Sequence, residues 1–563
     1  MGVALLALLS GCPSPPNRPR FLGAGHETPQ YGGTFVFHSE SAVRGMDPHM
    51  AFDELSFIPI KLLFDGLLDY DHEAKIVPQL AEEMPTVSAD GRVFTFRLRK
   101  NIRFHDGTPV TTEDVRWSME HMLDPNVGSP GFTFYSQLEG LTEYRAGISG
   151  HIRGIAVLDS HTIQFHLKAP DQTFLSAMAM TFAYPVPRTL YEQHPQEVSK
   201  KPIGTGPFVL AEWEQGVRLV FKRNRHYWDS TKPYVDRIVF LENLTRDAAI
   251  MRFRTGEIDH AHRFSPSDYL YFTQSKAWRP YQVQDPEKDI WGVVMNCEIP
   301  PFTNVHVRRA VSFALDREGW SRARNHRLRP TGQPIPPGIL GYDPELPGRQ
   351  VYDLARAKEE MRLAGYPHGI QQEVELWIGP GTTGRFYGEL TQQDLSKIGI
   401  NVRLKPVAFA LYIEESGKPG RVPMMISGWS QDFPDPADFM DILFHSRAIH
   451  DHDSENRSFY RNPKLDILLD RARIELNVER RRLLYVEAQK IVTHDAPWAF
   501  MWNDVRLEAW QPYVKNYRPH PVWSQLVRDV WLDLPKHRVA DGTLKRAMDR
   551  RVAALPQMDV KPW

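Results

Sequence analysis

Cysteine is nearly absent: Cys12 and Cys297 are the two in 563 residues, so at most one disulfide can form, and none if Cys12 is chemically modified. Cys297 then reads as a small buried apolar residue. Charge of one sign is lacking too. Lys and Arg number 68 against 69 Asp and Glu, a formal net charge of −1, and no long basic block occurs, which argues against a nucleic-acid partner. Past the first dozen residues no apolar stretch approaches the roughly 20 that a membrane-spanning helix requires. Signatures of nucleotide binding and hydrolysis are missing as well. Gly204-Thr205-Gly206 lacks the third glycine of a dinucleotide fingerprint, and Pro207 removes a backbone donor that a phosphate cradle would use. There is no Walker lysine, no Gly-x-Ser-x-Gly elbow and no His-Glu-x-x-His. Catalytic machinery is not visible, and no cofactor is expected.

What is present begins with an apolar run, Val3 to Leu9, that ends in Leu9-Ser10-Gly11-Cys12. Small residues just before a cysteine form a lipobox, so residues 1–12 read as a lipoprotein signal and Cys12 as the acylated residue, tethering the chain to a membrane outside the cytoplasm. Met1-Gly2-Val3 carries none of the basic residues with which secretory signals begin. Residues 13–30, rich in Pro and Gly, read as a flexible tether. The length predicts two or three domains.

Strand and helix periods alternate along the rest. Phe94, Phe96 and Leu98 alternate with Thr95, Arg97 and Arg99 as a half-buried strand should, and Thr111 can cap a helix with Val115, Met119 and Met122 on one face. A helix from Asp353 is stopped by Gly365, and another runs through Leu390 and Leu395 to Gly399, followed directly by an alternating strand, Ile400 to Leu404. Residues 463–494 hold two more helices, and Trp498 to Trp510 is strand-like and aromatic-rich. The recurrence is that of an α/β fold.

Several blocks together carry a resemblance. They are Val77-Pro78-Gln79-Leu80-Ala81, then Phe94 to Arg99, Ile102 to Val110, Glu113-Asp114-Val115, Gly204 to Phe208, Asn224 to Trp228, Gly256 to Asp259, Pro300-Pro301-Phe302 with Val307 to Ala310, and Trp429 to Phe439. In this order they resemble the family 5 extracellular solute-binding proteins, the periplasmic receptors of peptide, oligopeptide and nickel importers of the ATP-binding cassette type. The resemblance implies a bilobal periplasmic-binding-protein-like fold (type II, cluster C) with an inserted extra subdomain and a two-strand hinge. Residues 31–58, 202–295 and 502–535 would form the main subdomain of lobe 1, residues 59–201 the inserted subdomain and 296–501 lobe 2, with crossovers near Met295 and Met501. Residues 536–563 extend past the last family-like segment. Implied partners are a peptide ligand, the permease subunits of the importer and, through lipid, the membrane; a monomer in the cell envelope is expected.

A receptor for many peptides must recognise their terminal charges, and an ammonium in a closed cleft needs a carboxylate. Trp429-Ser430-Gln431-Asp432 resembles the family stretch in which an aromatic lines the cleft and an acid three residues on pairs with the peptide amino terminus. Asp432 is therefore the candidate for the ammonium and Trp429 for a stacking wall. The spacing alone fits equally a surface-loop acid beside Asp435, Asp438 and Asp441, and a core Trp. Arg385, just before Glu389 and Leu390, stands where dipeptide-binding members place an arginine, and its guanidinium fork suits the ligand carboxylate. Its other reading is a solvated helix-start residue. His445, His450 and His452 with Asp451 and Asp453 could offer metal ligands, but without helical or zinc-finger spacing a surface loop is the better reading. Two other readings of the function stay open at this point: a sugar or metal-chelate receptor, given 14 tryptophans, and a secreted hydrolase using Asp432, Asp435 and Asp438.

Overall fold

Three sheets organise the chain in the computed structural model, which describes residues 23–534 apart from 52 and 524. The apolar leader, Cys12 and the 536–563 extension lie outside the described residues. The first sheet runs in the order Thr34–His38, Arg237–Leu241, Arg218–Arg223, Phe208–Glu214, with the first pair parallel and the others antiparallel. A second, antiparallel sheet is built wholly from residues 86–166. Its strand Val93–Arg97 alternates as expected: Phe94 and Phe96 are buried while Arg97 is exposed. The helix Thr112–Leu123 covers it with Val115, Met119 and Met122 wholly buried, and the Thr111 N–H donates to Asp114 Oδ2 (2.8 Å), holding the first turn.

The third sheet is mixed, in the order His260–His262, Trp498–Trp510, Asp289–Met295, Met424–Ser430, Ile370–Ile378, Ile400–Pro406. Its helix-then-strand unit is the one legible in the sequence: Gly381–Ser396 leads through Gly399, at φ +75°, into Ile400–Pro406 beside Ile370–Ile378. Gly399 takes the left-handed conformation that lets the helix end and the strand begin at once.

Two lobes result, and the strand Trp498–Trp510 belongs to both. Its first half, Trp498 to Asp504, pairs with Asp289–Met295 and Leu328–Pro330; its second half, Val505 to Trp510, pairs with Gln282–Pro286 and His260–His262. Its pairing partners therefore change at Asp504 to Val505, opposite Pro286 to Asp289, and Asp289–Met295 pairs along its whole length with Met424–Ser430. Among the described residues no helix is long and apolar enough to cross a membrane. Cys297 is half-buried, its thiol 3.7 Å from the Met295 carbonyl and its pKa pushed up by burial to about 11.

Candidate functional site

The lobes meet. Arg473 of lobe 2 donates to Asp171 of the 59–201 segment (2.7 Å), and the Gln172 N–H donates to the Arg473 carbonyl (3.0 Å). Phe433 of lobe 2 is buried in the core of the 59–201 segment, its ring edge-on to Phe134 at 6.0 Å between centroids. Gln431 donates to the Pro521 carbonyl, and Arg327 donates to the Phe264 carbonyl across the same seam (3.2 Å).

Asp432 sits on this seam, between Gln431 and Phe433. The strand Met424–Ser430 ends at the cleft because Asp435 stops it: its carboxylate caps the helix Pro436–Phe444 by accepting from Ala437 (2.9 Å) and takes a bidentate bond from Arg481 (2.7 Å each). One turn into that helix, wholly buried Asp438 accepts from Trp429 Nε1 (3.1 Å) and from the Asp432 N–H (3.0 Å). Asp438 thus fixes both candidates of the Trp-x-x-Asp stretch. Trp429 is half-buried against the lobe 2 core with its indole nitrogen committed to Asp438.

Asp432 itself is half-buried, and its Oδ2 is shielded from solvent without a hydrogen-bond partner. Burial, then repulsion from Glu455, pushes its pKa up to about 7. The Asp438 pKa is raised further by burial and by Asp432, and Asp441 is raised to about 7 chiefly by burial. Asp438 and Asp441 each keep one buried, unpartnered oxygen. Asp441 has Arg447 on its other oxygen (3.0 Å), whereas Asp432 has no cation against it.

Arg385 is not brought together with Asp432. It is 75% exposed and paired with Glu389 (2.8 Å). Two positions on, Tyr387 faces the other way: it is buried and stacks on Trp502 at 4.6 Å, and Trp502 lies parallel to Trp291 at 5.9 Å. Arg324 rides over the rings of Phe386 and Tyr387, 5.6 Å from each, and its Nε is buried without a partner. Beside this aromatic shelf, at the change of lobe, Asp289 accepts from the Asp504 N–H (3.0 Å) and from Trp291 Nε1 (2.8 Å), and Trp502 Nε1 donates to Asp504 (3.1 Å). Burial and then Glu287 raise the Asp504 pKa to about 6. The shelf residues were visible in the sequence only as an aromatic-rich strand; Arg324 gave no signal there. Of the five-residue His/Asp cluster, His445 is buried and directed to Asp466 (3.4 Å) and Asp470 (3.3 Å), while residues 450–453 are exposed. Among the described residues no group of three or more His, Cys, Asp or Glu side chains could hold a metal ion.

A two-lobed α/β frame with two shared crossing segments and a charged seam is that of an extracellular solute receptor. The chain belongs to the bacterial extracellular solute-binding proteins, family 5, whose model matches residues 75–451. It is 27% identical over 522 residues to di/tripeptide-binding protein 2 of Pseudomonas aeruginosa, covering 89% of this chain and 95% of that one. It is 28% identical over 511 residues to heme-binding protein A of Haemophilus influenzae, covering 87% and 90%. Among solved structures, clavulanic acid biosynthesis oligopeptide binding protein 2 superposes with a TM-score of 0.82 at 26% identity, covering 89% of this chain and 96% of that one.

Proposed function

We propose that the protein captures di- or oligopeptides between its lobes, with the ligand ammonium on Asp432, and delivers them unaltered to the permease subunits of an importer. The observation that carries this reading is the Asp432 carboxylate: it lies on the seam, positioned through its own N–H by Asp438, with one oxygen shielded from water and unpartnered. An ammonium placed there gains a charge-assisted bond and relieves the acid at once. The peptide names of similar receptors support the same ligand class.

For the ligand carboxylate, Arg385 would first have to leave Glu389. Arg324 rides with the Trp291 and Trp502 shelf, which projects from the sheet face opposite Trp429, since Trp429 pairs with Ile290. Asp435 and Asp438 are committed to a helix cap, to Arg481 and to Trp429, which disfavours a paired-carboxylate hydrolase.

Lipidation of Cys12 would hold the monomeric receptor at the cell envelope; Cys12→Ala should move it from membranes to the soluble fraction. Titration calorimetry of trialanine tests the ligand reading. Micromolar binding to the wild type, lost in large part in Asp432→Asn, is expected; equal affinity in both would remove Asp432 from the site. Finding the peptide intact afterwards is expected as well, and cleavage would overturn the receptor reading.

A further inference from the structure

A second place in the structure is short of a partner. A cavity of about 40 Å³ opens in lobe 1 beside the strand ends His38 and His262. Its walls include Glu40, Glu54, Ile58, His262, Arg263 and Gln525. His262 and Gln525 are each 7% exposed, and His262 Nδ1 and Gln525 Oε1 are both buried without a hydrogen-bond partner. Two orphaned polar atoms on residues lining one cavity are costly unless something fills it.

Two of its lining residues lie on segments that contact lobe 2 close by in the chain. Arg263 precedes Phe264, whose carbonyl accepts from Arg327 of lobe 2, and Gln525 belongs to the segment whose Pro521 carbonyl accepts from Gln431, next to Asp432. Glu40 is held by Arg246 (3.0 Å). Glu54 is freer: it is 58% exposed and touches Arg263 at only 3.4 Å, so its carboxylate can change partners.

Arg263 is the cationic wall of this cavity and is held at Glu54 (3.4 Å), yet His262 Nδ1 and Gln525 Oε1 still find no partner. A carboxamide oxygen can only accept, Glu54 can only accept when ionised, and neutral His262 offers a ring nitrogen. A cavity of this size holds one or two waters or the ammonium head of a long side chain, and an ammonium supplies three donors at once. We propose that this cavity is the subsite for a lysine-like side chain of the bound peptide, its ammonium shared by Gln525, Glu54 and His262. The proposal rests on the peptide reading of the cleft given above.

The test is calorimetry on the full protein with trialanine and with tripeptides carrying either lysine or its uncharged isostere norleucine at each position in turn. At one position lysine should bind about tenfold tighter than norleucine, the worth of one charge-assisted bond. In Gln525→Leu and in Glu54→Gln, both checked for unchanged circular dichroism, that ratio should fall to within about twofold. If trialanine binds but lysine and norleucine are equal at every position, the cavity holds only water and the subsite is overturned while the peptide reading stands. A ratio kept in both variants also overturns it, since the preference then arises elsewhere. If no tripeptide binds at all, the peptide reading falls and the subsite falls with it.

Discussion

Lowering the pH should weaken peptide binding through Asp432, and the size of the effect follows from its surroundings. Burial and Glu455 hold the Asp432 pKa at about 7, whereas a bound ammonium would keep the carboxylate ionised. Binding therefore expels a proton whenever the free acid is protonated. At pH 8 that costs almost nothing. At pH 6 about nine-tenths of the free receptor carries the proton, and removing it costs about 1.4 kcal/mol, close to tenfold in affinity. The sign is fixed: affinity is full above pH 7 and lost progressively below it. Asp432→Asn cannot ionise, so it should bind at least about thirtyfold more weakly at pH 8, some 2 kcal/mol, and show no slope with pH. The two affinity curves should converge in acid. Calorimetry in two buffers of different ionisation enthalpy reads the proton directly, at about 0.9 released per peptide at pH 6 and near zero at pH 8. A wild-type affinity that stays flat from pH 5 to 8, with heats independent of buffer, would refute the assignment.

Arg473→Ala should loosen the closed form, because it strips Asp171, which is almost wholly buried, of its guanidinium; small-angle scattering should show a larger radius of gyration without peptide, and affinity should drop by roughly 1–2 kcal/mol. Arg481→Met leaves Asp435 buried without its bidentate partner, so the urea midpoint should fall by the equivalent of about 3–5 kcal/mol. The buried histidines make the fold acid-sensitive. His38 is wholly buried and unpartnered, with burial, then His260 and Arg263, pushing its pKa down to about 3. A folded-state pKa below the unfolded value of 6.5 contributes stability that is present above pH 6.5 and lost as the pH falls through the window down to 3. His38 alone should cost about 2 kcal/mol at pH 5, measured as the shift in urea midpoint between pH 7.5 and 5, and His38→Phe should flatten part of that slope.

Local patterns were readable and long-range ones were not. Val115, Met119 and Met122 share a helix face, and Phe94 and Phe96 a strand face, because period alone assigns them. Asp432 and Trp429 were candidates through the family likeness, their spacing fitting a surface loop and a core Trp equally well, and the partners of Asp435 and Asp438 gave no signal in the sequence. Asp435 answers to Arg481, 46 positions away, and that partner cannot be inferred from a local run. Arg385 shows the opposite limit. Two positions along a helix rotate a side chain by about 200°, which is why Arg385 is exposed while Tyr387 is buried in the lobe 2 core. The partner of Asp289–Met295 is likewise remote, in Met424–Ser430, and no local run announces it.

The strand Trp498–Trp510 gives its first seven residues to one lobe and its last six to the other, with one register shift in the ladder where Trp291 and Gly292 face Trp502 and Phe500. Strand side chains alternate, so an odd insertion near residue 504 would turn every later inward residue outward while leaving the earlier ones in place. The two halves of this receptor are thus phased like the blades of shears on one rivet. Neither can be lengthened, swapped or re-cut at that point without the other losing its grip on its own interior.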